Sequence, residues 1–399
     1  MCRTGACVNQ TAAGFPAPLQ LVGQDHLSTA SRQCTKFVRA GASCSPIRNP
    51  AATVAGSWVG ETRGGAASPG DDNCMRVERS GRRWAHGVVA AMVAACAVGT
   101  ASVPGAASTP ERLCGGSTGR VPETYRHVVV IMEENQSYND IVGRSSTPYL
   151  NYLARACGLA TNYRGVTHPS HPNYMAATGG IPTSARSTNA PNIFRQVRRA
   201  GGSWRVYEEA MPRNCDRASA YPYKVGHNPG ISYAAIQSGC QLWDVGWTAF
   251  THDVANHALP TYAFITPDQC HNMHASCTSG VTAIRAGDTW LSHVIPQIVQ
   301  TPGYQRGRTA IFITWDEGSH GQSAAQRGED CLARAHLADE SCHVPAFVLS
   351  QNVAAGTRSN LLFSHYSLLQ TTERLLGLKP FLGHAADPTT TGMRAAFGF

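Results

Sequence analysis

The sequence predicts an α/β fold, with a mostly parallel central sheet covered by helices on both faces. From His127 onward, short apolar runs rich in β-branched residues alternate with stretches of helical periodicity, the pattern of strands buried on both sides. Acidic residues also stand within two positions of the end of three of these runs. In open parallel sheets that is the edge where ligands bind.

The elements follow in order. His127 to Met132, Trp204 to Tyr207, Tyr262 to Thr266, Thr309 to Trp315 and Val344 to Leu349 read as buried strands. Thr147 to Cys157, Pro191 to Ala200, Val281 to Val299 and Ser364 to Leu376 read as helices, the last with Tyr366, Leu369 and Leu376 at helical spacing. Pro296 is expected to kink or end the third of these helices.

The first 74 residues do not read as a folded domain. They are rich in Gly, Ala, Ser and Thr, and scatter Cys2, Cys7, Cys34, Cys44 and Cys74 without metal-ligand spacing. They read as mistranslated upstream sequence or a disordered arm. At Met75 the text changes: Arg76, Arg79, Arg82 and Arg83 precede the apolar run Val88 to Val98, and small residues follow at Gly105-Ala106-Ala107. This is the pattern of a secretory signal peptide over residues 75–107, its apolar run too short to span a bilayer of about 30 Å. The expected start is therefore Met75, the expected mature domain 108–399, and the expected destination outside the cell. Twin-arginine export through Arg82-Arg83 and lipid anchoring at Cys96 are lesser alternatives.

The formal charge of +8 is carried partly by the upstream stretch. From residue 108 onward, 23 basic and 20 acidic residues leave +3, which argues against a nucleic-acid binder working by bulk electrostatics. Eight cysteines lie in this part, an even number behind an export signal, as a disulfide framework requires. Many pairings are possible. Proximity along the chain favours Cys215 with Cys240, Cys270 with Cys277 and Cys331 with Cys342, leaving Cys114 for Cys157.

The chemistry collects at strand ends. The first strand runs into Glu133-Glu134-Asn135, the one at Tyr262 into Pro267-Asp268, and the one at Thr309 into Asp316-Glu317. Glu134, Asn135, Asp316 and Glu317 form an oxygen-rich set suited to a hard divalent cation, Mg²⁺, Mn²⁺ or Ca²⁺ rather than Zn²⁺; solvated turn residues are the plainer alternative. Between the first two runs lies THPSHPNYMAATGG, Thr167 to Gly180. If a helix begins near Pro172, its first turn offers N–H groups and a positive dipole end to Ser170 and a bound phosphate. A metal would supply the activation that a lone hydroxyl lacks. His274 and His365 are the preferred catalytic histidines, with Asp268 as a further acid. His168 and His171 stand beside the serine as phosphate contacts. His227, His252, His257, His293, His336 and His384 lack such context and read as structural.

Six blocks in order, EENQSYNDIVG at Glu133, THPSHPNYMAATGG at Thr167, YAFITPDQCHNMH at Tyr262, GDTWL at Gly287, FITWDEG at Phe312 and HYSLLQTTERLLGL at His365, give the chain its resemblance. It resembles the secreted phosphoesterase family of bacterial acid phosphatases, phosphoinositide phosphatases and phospholipase C enzymes, within the alkaline-phosphatase-like superfamily. The resemblance implies a three-layer sandwich, Glu134, Asn135, Asp316 and Glu317 as metal ligands, and Ser170 as the residue that becomes phosphorylated. It implies substrate contacts from His171 and Asn173. Asp268, His274 and His365 fall where two-metal relatives hold a second ion, or where single-metal relatives place histidines on the phosphate. The Asp316-Glu317 pair departs from the Asp-Asp or Asp-His of some relatives.

The function so implied is a secreted, metal-dependent acid phosphatase with a phosphoserine intermediate and a mildly acidic optimum. Its substrate would be a phosphorylated small molecule or a phosphoinositide headgroup such as that of phosphatidylinositol 3-phosphate, the latter bringing transient contact with a membrane surface. A phospholipase C-type phosphodiesterase is the alternative, although the C-terminal extension of those enzymes is lacking, and an inactive secreted ligand-binding module is the second. Met211 to Ala258 reads as a loop-rich, substrate-specifying insertion, in which Tyr221, Tyr223, Trp243 and Trp247 either line a pocket or pack around Cys215 and Cys240.

Overall fold

Strands that are apolar on both faces must be covered on both faces, and the chain meets that demand with one nine-stranded sheet. The computed structural model describes residues 112–319 and 327–399. The expected arm over 1–74, the leader over 75–107 and Cys96 lie outside the described residues.

The strands are β1 (His127–Glu133), β2 (Gly158–Arg164), β3 (Trp204–Glu208), β4 (Asp244–Gly246), β5 (Tyr262–Thr266), β6 (Thr309–Trp315), β7 (His343–Leu349), β8 (Arg358–Ser359) and β9 (Phe363–Ser364). Their order is β4-β3-β5-β1-β6-β7-β2-β8, with β9 also on β2. Every pairing is parallel except those of β7, which runs antiparallel to both β6 and β2. All five expected strands are present, and the sheet is mostly parallel as expected. At its centre β1 and β6 pair without a break from His127↔Thr309 to Glu133↔Trp315, while β5 aligns on the other side of β1, Ile131 opposite Ile265. The carboxyl ends of these three strands are therefore level.

Four helices lie where periodicity places them: Pro148–Ala156, Ile193–Arg199, Ala283–Val299 and His365–Leu375. The third departs from expectation, because it runs through Pro296 to Val299. The proline stands in the last turn, where only a few residues follow, and the buried Val294, Ile295 and Ile298 hold that turn against the core. Packing thus outweighs one lost backbone hydrogen bond. The last helix buries every residue but Arg374, and Ser364 caps it by accepting from Tyr366 N–H.

The four disulfides join the pairs that proximity favours: Cys114–Cys157, Cys215–Cys240, Cys270–Cys277 and Cys331–Cys342. The stretch Met211 to Ala258 is more than a loop. It carries edge strand β4 and the helix Trp247–Ala255, and its aromatics are chiefly scaffold. Tyr223 is buried, Trp243 packs on Trp204, and Trp247 lies against Phe250 and Trp290. Tyr221 alone of the four is exposed, at 70%. Among the described residues no helix is long and apolar enough to cross a membrane.

Candidate active site

Ser170 opens the helix Ser170–Gly179, two residues earlier than Pro172 suggested. First-turn N–H groups have no partner within their own helix, and Pro172 has no N–H to leave unpaired. The approach to the serine is fixed by Asn173. Its Oδ1 accepts from Val166 N at 2.9 Å and Thr167 N at 3.2 Å, and its Nδ2 donates to Thr167 O at 2.7 Å. Asn173 is fully buried by these bonds, so it holds the turn that presents Ser170.

Level strand ends bring the acids to that serine. Ser170 Oγ lies 3.2 Å from Glu134 Oε2 and 3.0 Å from Glu317 Oε1. Asn135, at a φ of 45° that asparagine tolerates better than most residues, ties the two strand ends together. Its N–H donates to Asp316 Oδ1 at 3.1 Å and its Nδ2 to Glu317 Oε1 at 2.8 Å. The structure thus gathers Ser170, Glu134, Asn135, Asp316 and Glu317 into one set.

The histidines divide by what their rings touch. His274 Nδ1 sits 2.9 Å from Asn135 Oδ1 on an exposed residue. His365 is fully buried, donating from Nε2 to Asp316 O at 2.7 Å, with Tyr163 Oη 3.0 Å from its Nδ1. Burial lowers its pKa to about 4, so it is a neutral brace on the Asp316 backbone. His168 pairs through Nδ1 with Glu317 Oε2, and its Nε2 lies 3.3 Å from Ser341 Oγ beside the Cys331–Cys342 sulfurs. Both nitrogens are taken, leaving neither for a phosphate. His171 likewise spends both on backbone carbonyls, Gly226 O at 3.1 Å and Ala185 O at 3.3 Å. Asp268 belongs to a separate cluster with Glu209 and His271, 3.5 Å from the latter's Nδ1, and its side chain is not brought into the serine's set.

Two residues of the site escape the sequence reading. His227 Nε2 lies 3.2 Å from Glu134 Oε1, and its ring stacks on Tyr174, whose hydroxyl donates to the same oxygen at 2.6 Å. The structural reading of His227 therefore needs correction: it braces a site carboxylate. Nothing in its own neighbourhood signals this, because the contact joins residues more than ninety positions apart in the chain. Tyr174 stood one helical turn after Ser170, where an i, i+4 reading would find it.

The set carries an unbalanced charge. Burial pushes the Glu134 and Asp316 carboxyls well above their usual range, and the mutual repulsion of Glu134, Asp316 and Glu317 adds to it. Among the described residues no Lys or Arg pairs with any of the three. Asp316 Oδ2 is buried without a hydrogen-bond partner. An orphaned carboxylate oxygen within an all-oxygen donor set fits a divalent cation.

Comparison with known proteins places these features in context. A model of the phosphoesterase family matches residues 143–379, more than half of the chain, beginning downstream of Glu134 and Asn135. A phosphatidylinositol-3-phosphatase of Mycobacterium tuberculosis is 27% identical over 272 residues, 66% of this chain and 81% of that protein. A probable acid phosphatase of Kluyveromyces lactis is 27% identical over 281 residues, and an acid phosphatase of Aspergillus fumigatus 28% over 268. These alignments cover 66% and 63% of this chain but only 61% and 54% of the fungal proteins. Among solved structures, an alkaline-phosphatase-superfamily protein from Vibrio parahaemolyticus superposes with a TM-score of 0.45 at 13% identity, covering 71% of this chain and 75% of the other.

Proposed function

The chain belongs to the phosphoesterase family, its relatives support a hydrolase of phosphomonoesters, and from that premise we propose a metal-dependent acid phosphatase that works through a phosphoserine intermediate. The observation that carries the proposal is Ser170 Oγ held within 3.2 Å of two buried carboxylates beside the unpartnered Asp316 Oδ2. Glu134, Asn135, Asp316, Glu317 and Ser170 are the residues that would hold the cation. When bound, such an ion lowers the pKa of a coordinated hydroxyl and neutralises charge on the transferring phosphoryl group.

The chain's own residues supply the rest. Ser170 Oγ gives its proton to the nearer carboxylate, Glu317 Oε1 at 3.0 Å, and attacks phosphorus in line, forming the Oγ–P bond as the bond to the leaving alcohol breaks. His274 makes no hydrogen bond from Nε2 among the described residues and is the group we assign to protonate that alcohol. Water then attacks phosphoserine, breaking Oγ–P, releasing inorganic phosphate and restoring the hydroxyl. His168, His227, Tyr174 and His365 keep the acids in register by occupying their outer oxygens and backbone. Asn173 keeps Ser170 in place.

We further propose export, with residues 108–399 as the mature domain; four disulfides favour an oxidising compartment. The substrate class is a phosphorylated small molecule, a phosphoinositide headgroup among them. The test is phosphate release from an aryl phosphate by the parent protein and Ser170→Ala, each chelated and then reloaded with metal. Activity should vanish on chelation, return with metal, and fall by about 10³-fold or more in the variant. A metal-loaded parent that releases no phosphate, or a variant as fast as the parent, overturns the assignment.

A further inference from the structure

Residues 219–227 form a wall beside Ser170, fastened at several points. His171, the residue after the serine, lies 3.1 Å from Gly226 O through Nδ1. His227 reaches Glu134 and stacks on Tyr174, the ring planes 4° apart. From the β5 end, Thr266 Oγ1 donates to His227 O at 3.2 Å and Gln269 N–H to Pro222 O at 3.0 Å. Within the wall, Ser219 Oγ accepts from Val225 N–H at 3.1 Å.

Lys224 stands on this wall. It precedes the short turn Val225–His227, and its carbonyl accepts from His227 N–H at 3.0 Å. Its side chain is exposed and forms no ion pair among the described residues. Its backbone shares that turn with His227, which touches Glu134, and stands two residues before Gly226, whose carbonyl lies against His171. Among the described residues the acids of the site have no Lys or Arg partner, and a cation held by them would serve the transferred phosphoryl group. Lys224 is a separate positive charge at the rim, on a backbone already held rigid.

We propose that Lys224 selects substrates bearing a second phosphate group, which it binds while the first is transferred. The inference rests on the phosphatase reading above and narrows it to phosphomonoesters with a further anionic phosphate. A lysine ammonium suits that task, because a compact point charge accepts a phosphate from many directions. Binding energy gained away from the reacting centre can also serve the chemical step. Two sources carry this chemistry: a soluble bisphosphate, and an inositol lipid whose diester phosphate lies near its monoester.

The experiment compares kcat/KM of the full chain for three probes, p-nitrophenyl phosphate, inositol 1,3-bisphosphate and dibutanoyl phosphatidylinositol 3-phosphate, in the parent, Lys224→Ala and Lys224→Arg. The preference for a second-phosphate probe over the aryl phosphate should fall about 5- to 30-fold in Lys224→Ala, chiefly through KM, and return largely in Lys224→Arg. In the parent it should weaken with added salt. A fall for the lipid alone, or for the bisphosphate alone, still supports the inference and identifies the source. An unchanged preference overturns it. So does an equal loss on all three probes, which would put Lys224 on the transferred group. A parent inactive on every probe overturns the phosphatase reading, and this inference with it.

Discussion

Deleting one oxygen, by Tyr174→Phe, measures how much the site depends on groups that never touch substrate. The Tyr174 hydroxyl donates to Glu134 Oε1 at 2.6 Å in a fully buried setting. Its ring is packed against His227 and Phe264, so phenylalanine keeps the packing and loses only the donor. A hydrogen bond to a charged group is worth about 1.5–3 kcal/mol, and outer partners of a metal ligand typically hold about 10- to 100-fold in metal affinity. The two ranges agree, since about 1.4 kcal/mol is tenfold. The assay is phosphate release against added divalent metal after chelation. The half-saturating metal concentration should rise about 10- to 100-fold, with most of the rate recovered at saturation. An unchanged half-saturation point would refute the argument that Glu134 is a ligand oriented by Tyr174. A fall in saturating rate at unchanged metal affinity would move Glu134 from metal to serine.

Two further outcomes concern the scaffold. Burial lifts the Glu373 carboxyl to about 8, so the folded chain holds a proton there that the unfolded chain releases near pH 4.5; stability is full below that pH and is lost as pH rises through 8. Glu373→Gln should remove on the order of 4 kcal/mol of this decline, and urea melts of parent and variant at pH 5 and pH 8 with equal differences would contradict it. Replacing Cys114 and Cys157 by alanine opens a bridge of sequence separation 43, which chain entropy values at about 4 kcal/mol; a denaturation midpoint unmoved from the parent's would count against that figure.

The parts legible in the sequence were those whose physics is local. Five strands announced themselves because their faces are almost wholly buried, which keeps polar residues such as Arg205 and Thr314 few within them. β2 did not: Thr161 and Asn162 are half-exposed, and its ladder shifts register between Ala160 and Tyr163. β8 and β9, two residues each, are too short to carry a period. The acidic pairs were legible because parallel strands end on one edge. Which nitrogen touches what was not. His365 and His168 lie where chemistry was expected, yet their rings are spent on Asp316 O and Glu317, and His227 joins the site through a contact that only the folded sheet creates.

The unbroken pairing of β1 with β6 has a thermal corollary. Glu134, Asn135, Asp316 and Glu317 are the first residues beyond two adjacent central strands that pair from His127↔Thr309 to Glu133↔Trp315. Pulling them apart means unzipping the innermost ladder, the most costly local opening a sheet allows. Heating should therefore extinguish catalysis in the same transition that melts the fold, without an earlier, softer loss, while the exposed side chain of Lys224 is free to vary under selection at little cost to the ladder.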